Sequence, residues 1–566
     1  MRLEDYRLPA QKVRWKCDPG CFAFECTDQL TPLHEFIGQD RAIKAIEFGL
    51  AVEKPGYNIF VTGLTGTGKA SAVKAHLEGL VSQAKMKAGD DHPDDWCYIY
   101  NLTTPDRPKA LRLSQGKGKT LRDDMEKLLA RIQTDIPKAF SSEDYSRAKQ
   151  DIVQEGQTKH RQFFQDLEKQ AQEEGFSLQA SPVGLLLLPM IQDKPATPEE
   201  FMALKKEERD ALESKREMLM KRVEANLQAA QAVEKETADK VRLLDEKVAE
   251  IALAPIFQEL SSAYQSLPEV VQYIQEVKDF TLNNINIFRE PETAHGQAPQ
   301  ALAGLPPLKE KDPFLAFKVN VFVDNSQTAG PPIILETNPT YGNLLGKIER
   351  RPVMGAYFTD HTLLKPGAFA LANGGYLVLN ARDVLLNPGA WEGLKRTIKN
   401  KEVRLEDPFE QYGLMAPHGL RPQPIPLRVK VVLMGDHLIY NLISLYDEDS
   451  WEIFKVKADF DSEIDRTQEN LEAFASFVCA CCQSEGLLHF DTSAVAKVAE
   501  HAARLVANQE RMSARFGQIK DLLIEADYWA RKDSGSRVTG EHVQQAIKSK
   551  IYRSNLIEER IRELMA

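Results

Sequence analysis

Gly63, Gly68 and Lys69 stand at the spacing G-x-x-x-x-G-K within NIFVTGLTGTGKASAV, residues 58–73. A run of this kind curls backbone N–H groups around phosphate oxygens, and the helix that follows adds partial positive charge at its N-terminus. Lys69 would reach the outer phosphates of a nucleoside triphosphate. Thr65, Gly66 and Thr67 complete the loop, and YNIFVTG before it has the character of a buried strand. A glycine turn that only joined a strand to a helix would not require the lysine. The chemistry that accompanies such a loop is metal-assisted phosphoryl transfer, in which the residue after the lysine is Ser or Thr and its hydroxyl holds Mg²⁺. Ala70 takes that place here, and Ser71 lies about 100° further round the helix.

A second polar element should end another buried strand, and GGYLVLNARDVLL, residues 374–386, is the candidate. Where a phosphoryl-transfer site presents Asp for the metal and Glu for the attacking water, this sequence has Asn380 and Ala381. A neutral amide oxygen is a much weaker magnesium ligand than a carboxylate. Asp383 lies too far along the chain to replace it. The expectation is therefore a site that can bind ATP or ADP, with weak Mg²⁺ support and impaired hydrolysis, the fold serving as a degenerate, ATP-independent scaffold; ATP hydrolysis that drives translocation is the alternative. No separate metal site is expected. Cys17, Cys21 and Cys26 have superficial metal spacing without an evident fourth ligand, whereas Cys479, Cys481 and Cys482 fall in an apolar helical run suited to buried thiols.

The elements that must position these residues separate by texture into four regions. Residues 1–115 alternate helical patterns with short β-rich runs such as DWCYIYNL, the mark of the first part of an α/β layer. Residues 116–280 are long charged helices. Leu121, Met125, Leu128 and Ile132 form one heptad-like seam, and Val241, Leu244, Val248 and Ile251 another. Between them SPVGLLLLPMIQDKPATPEEF breaks the helix with prolines, so a long antiparallel coiled-coil hairpin with a small β tip is predicted, two unrelated amphipathic helices being the alternative. Residues 281–464 return to strands in FKVNVFVDN, GGYLVLNA and LRVKVVLMGD, and residues 465–566 are helical throughout. The predicted fold is an α/β phosphate-loop domain interrupted by the hairpin and followed by an all-α lid.

A chain of 566 residues is too long for one core. Its formal charge of −11 argues against a dedicated nucleic-acid binder. No stretch approaches the roughly 18 apolar residues of a membrane span. The first residues show no signal peptide, so a cytoplasmic protein is expected.

With both elements placed, the chain resembles the AAA+ portion of Lon-related proteases, the bacterial branch with a helical insertion. The resemblance lies in CDPGCFAFECTDQL, FIGQDRAIKAIEFGLAVEKPGYNIFVTGLTGTGK, NPTYGNLLGKIER, LKPGAFALANGGYLVLNARDVLLNPGAWEGLKRTI, LYDEDSWEIFKVKADFDSEIDRT and RMSARFGQIKDLLIEADYWAR. It implies that Gly38 and Gln39 lie near an adenine, that Asp436 sits where a γ-phosphate sensor stands, and that Arg515 of the lid reaches the phosphates. Lys455 or Arg466 would act on a neighbour's nucleotide as an arginine finger. Tyr357 and Phe358 would face a central pore and grip extended polypeptide, or else be ordinary core residues. The resemblance further implies a ring, a hexamer, that takes unfolded or damaged polypeptide and feeds or gates a proteolytic chamber. Members of that family continue into a Ser–Lys protease domain that is not recognisable here, so it would follow this chain or act in trans. Competing expectations are a nucleic-acid-associated AAA+ motor and a stand-alone chaperone-like scaffold.

Overall fold

Five short apolar runs form one parallel sheet: β1 (Ile59–Thr62), β2 (Ile333–Glu336), β3 (Tyr376–Asn380), β4 (Lys430–Met434) and β5 (Val456–Asp459), in the order β5-β1-β4-β3-β2. Val432 of β4 sits opposite both Ile59 of β1 and Val378 of β3, and Ile59 is opposite Val456 of β5, so the strand ends line up on one edge. β1 is buried on both faces, which is why its sequence is continuously apolar rather than alternating. Side chains still alternate in direction. Ile59 and Val61 pack with Ala42, Ile46 and Leu50 of α1 (Asp40–Ala51) and with Ala72, Val73 and Leu77 of α2 (Lys69–Met86). Phe60, Leu379 and Leu433 pack on the other face with residues of later helices.

The computed structural model describes residues 13–33, 36–86, 92–181, 184–191, 194–195, 206–289, 312–353, 356–406 and 419–565. The first twelve residues, read above for a leader, and much of the predicted hairpin tip lie outside them. The chain divides into two compact units, one of residues Met1–Ile99, Thr104–Lys119 and Asn320–Ala566, the other of Tyr100–Thr103 and Thr120–Val319.

In the second unit, α3 (Lys117–Phe140) and α4 (Glu143–Glu173) are followed by α5 (Lys206–Ala263), whose 58 residues span about 87 Å. Tyr145 bonds Asp245, Gly156 lies against Thr237, His160 faces Glu234 and Glu174 pairs with Lys215, so numbers rise on α4 as they fall on α5. Strands Phe176–Ser181 and Gly184–Ile191 pair antiparallel, and Leu187 packs with Leu167, Phe176, Leu219 and Val223. The first expected seam, Leu121, Met125, Leu128 and Ile132, is buried. In the second, Val241, Leu244 and Val248 are half-buried and the last position needs correction. Ile251 is 75 % exposed, and the buried stripe of α5 runs instead through Ala249, Leu253, Ile256 and Phe257. A three-four spacing can be drawn on more than one face of so long a helix, and Ala249, small enough for close approach, gives no apolar bulk to mark its face in the sequence.

In the first unit the C-terminal helices α6 (Gln468–Glu485), α7 (Thr492–Val506), α8 (Phe516–Lys532) and α9 (Gly540–Ser554) surround a core of Phe474, Val478, Val495, Ile519 and Leu522, and α10 (Leu556–Met565) follows with no buried residue. Residues from the N-terminal segment complete it. Cys17, Phe22 and Ile37 join that core, and Thr27 exchanges backbone and hydroxyl hydrogen bonds with Phe490. All seven cysteines are free, and burial pushes the Cys482 thiol up to about 12.

Candidate functional site

The C-terminal edge of the sheet gathers most of the singled-out residues, because β4 pairs with β1 on one side and β3 on the other. Leaving β1, the chain turns at Gly63 with φ 146°, where a Cβ would come 2.8 Å from Phe460 Cβ, so only glycine fits. Gly66 and Gly68 also take positive φ, and α2 begins at Lys69. Lys69 Nζ donates to Gly63 O at 2.6 Å and to Leu64 O at 2.7 Å. The Thr67 hydroxyl donates to the same Leu64 carbonyl at 2.9 Å, while Thr65 is exposed. Burial pushes the Lys69 ammonium below its ordinary pKa, with the charge of Asp436 acting in the opposite direction. Ala70 and Ser71 are exposed on the first turn of α2.

Asn380 ends β3, as expected of the second polar element, but its side chain is already committed. Its Oδ1 accepts from Arg382 N at 2.9 Å and caps the short helix Ala381–Leu386, and Ala381 is fully buried. Asp436 follows β4 and caps the helix His437–Tyr446 through Ile439 N at 2.7 Å. Gly38 takes φ 64°, and a Cβ there would meet Ile464 Cγ2 at 2.4 Å. Gln39 is buried and exchanges two hydrogen bonds, each 3.0 Å, with the backbone of Asp461. Its amide thus holds the segment after β5 in place.

The lid meets the glycine loop directly, since Gly517 N donates to Gly66 O at 3.0 Å. Two residues earlier, Arg515 has a buried Nε without a hydrogen-bond partner. The remaining candidates are elsewhere. Lys455 precedes β5, at the edge of the sheet away from the loop, with its Nζ 5.3 Å from the Tyr57 ring centre. Arg466 is bound by Gln509 O at 2.7 Å and stacks on Trp15. Tyr357 and Phe358 are 72 % and 45 % exposed on a strand, Ala356–Phe358, paired antiparallel with Arg351–Val353. They are not core residues.

Sequence reasoning missed Asp459 at the end of β5. It accepts from the Thr62 hydroxyl at 2.5 Å and pairs with Lys457 at 2.8 Å and His437 at 3.1 Å. Burial alone would raise its carboxyl, but Lys457, Thr62 and His437 together bring it below the ordinary value. The signal lay in VKAD, where Lys457 and Asp459 alternate with buried Val456 and Ala458. Gly517 was missed too, being one exposed glycine in a helical run.

An empty phosphate cradle would leave donors unsatisfied, and the partnerless Arg515 Nε fits that condition, while Lys69 Nζ is held meanwhile by the loop carbonyls of Gly63 and Leu64. The donor set for Mg²⁺ fits poorly, with Ala70 in place of a hydroxyl and Asn380 capping its own helix. Among the described residues no three His, Cys, Asp or Glu side chains are grouped to hold a metal, and no helix is long and apolar enough to cross a membrane.

Comparison with known families agrees with this geometry. LonB-like AAA domains match residues 329–461, the archaeal LonB AAA+ ATPase LID domain matches residues 489–553, and the Lon-like LonC helical domain matches residues 95–128. These three matches support a Lon-related AAA+ family for the chain. Membership in an AAA+ family implies a nucleotide site. None of the three matched spans includes the glycine loop, whose place rests on the sheet. No curated protein matches the sequence. Among solved structures, NtrX from Brucella abortus matches at 15 % identity and a TM-score of 0.26, over 37 % of this chain and 43 % of that one. So low a score carries no argument, and the match spans less than half of the NtrX chain.

Proposed function

We propose that this chain is the AAA+ module of a Lon-type proteolytic machine that holds ATP or ADP as a structural ligand and has given up efficient Mg²⁺-dependent hydrolysis. The observation that carries this reading is the asymmetry of the site. Lys69, the glycine loop and Arg515 keep donors for phosphate, while Ala70 offers no hydroxyl and the Asn380 amide is spent on Arg382 N. Phosphate charge would be met by Lys69, by loop N–H groups and by Arg515. A bound nucleotide would then fix the lid against the α/β domain without being consumed.

The family resemblance extends the reading to a hexameric ring with a protease domain supplied in cis or in trans. Lys455, exposed at the start of β5, is the better arginine-finger candidate, because Arg466 is already held by Gln509 and Trp15. The aromatic hairpin of Tyr357 and Phe358 would grip unfolded polypeptide, and the pairing of α4 with α5 supports a coiled-coil arm that presents clients. Deleting residues 182–196 is expected to weaken binding of an unfolded client in anisotropy titrations while the ring sediments unchanged. Unaltered client affinity would remove the arm from the scheme.

The deciding experiment is calorimetric titration with ATP and ADP, with and without Mg²⁺, on the native chain and Lys69→Ala. Binding that needs Lys69 but not Mg²⁺ is expected. Tight Mg²⁺-dependent binding with turnover, or no binding at all, would overturn the proposal.

A further inference from the structure

The hydrogen bond between lid and loop runs from backbone to backbone. A Cβ on Gly517 would stand 3.2 Å from Gly66 Cα, and one on Gly66 would stand 3.5 Å from Gly517 Cα. Two glycines therefore let the backbones close to the 3.0 Å hydrogen bond from Gly517 N to Gly66 O. That carbonyl shares a planar trans peptide with Thr67 N–H. Holding the C=O toward the lid turns the N–H to the opposite side, where it points to Leu64 O at 3.4 Å. Leu64 O also receives the Thr67 hydroxyl and Lys69 Nζ. Three donors converge on one carbonyl oxygen, an arrangement that a phosphate oxygen would take over.

We propose that the Gly66–Gly517 contact is a latch through which the position of the lid sets the nucleotide affinity of the loop. Gly517 is a positioning residue, acting on phosphate through the Gly66–Thr67 peptide. The inference rests on the nucleotide-binding reading above. Coupling of this kind is reciprocal, so a nucleotide that prefers the oriented N–H must also tighten the lid.

Gly517→Ala and Gly517→Val grade the obstruction, and Gly79→Ala serves as control because a Cβ at that exposed position of α2 meets nothing within 4 Å. The readouts are ADP affinity without Mg²⁺ by calorimetry and amide hydrogen exchange of residues 63–69 and 515–520 with and without ADP. Gly517→Ala should weaken ADP a few-fold and Gly517→Val at least tenfold, at unchanged melting temperature, and ADP should protect the lid segment in the native chain but not in Gly517→Val. Native affinity and protection in Gly517→Val would overturn the latch and leave nucleotide binding standing. Failure of the native chain itself to bind ADP would overturn both.

Discussion

β1 and β3 flank the same strand and each runs into a helix, yet their ends use their polar groups in opposite ways. After β1, glycines turn the backbone so that Thr67 and Lys69 donors converge on Leu64 O, and burial disfavours the Lys69 charge. After β3, the Asn380 side-chain oxygen serves as a helix cap, beside a buried Ala381. One end carries donors crowded onto a single carbonyl, with the unpartnered Arg515 Nε on the lid segment that meets the loop, and the other a relaxed structural cap. Unsatisfied buried donors cost free energy and persist where a ligand repays that cost. The contrast supports the proposal that the phosphate side keeps its function and the metal side has lost it.

The harshest way to break this comparison is Lys69→Ala. It should lower ATP and ADP affinity by roughly 100-fold, about 2.7 kcal/mol, read by calorimetry. A smaller and more discriminating change is Arg515→Met. Removing a buried donor without a partner should relieve about 1 kcal/mol and raise the melting temperature of the nucleotide-free protein, while nucleotide binding weakens about tenfold. Lower stability together with unchanged affinity would show that Arg515 is a structural residue. Asn380→Ala tests the other end. Loss of the cap should cost about 1 kcal/mol in urea unfolding and leave nucleotide affinity untouched. A tenfold loss of affinity would erase the asymmetry.

Much of this was legible in the sequence because it depends on backbone and local spacing. The glycine loop, the strand runs and Asn380 at a strand end are local, and local propensities agree with the final sheet. The joining of Cys17, Phe22 and Thr27 to the C-terminal helices was not legible, since it pairs residues more than 400 positions apart. The commitment of Gln39 to the Asp461 backbone was hidden for the same reason. The misplaced seam on α5 has a different cause: exposure of Ile251 is decided by which neighbour lies beside the helix, and periodicity alone does not specify the neighbour.

Asp459 offers the finest test, because it is a carboxylate at the loop end that serves structure. It holds the hydroxyl of Thr62, the residue entering the loop, and is paired with Lys457 and His437. Its folded-state pKa lies below the ordinary 3.8, so its contribution to stability is present above that value and is lost as pH falls through the folded value. With the side chain 37 % exposed, solvent screens these pairs and the effect is small. Asp459→Asn should flatten the acid limb of stability measured by urea midpoints between about pH 6 and pH 3, leaving the limb due to other carboxylates. At neutral pH the same variant should also loosen the loop entry, seen as faster amide exchange at residues 62–64. An unchanged acid limb with unchanged exchange would show that the β1 end is held by its glycines and strand pairing alone, and would confine the difference between the two ends to Lys69 and Arg515.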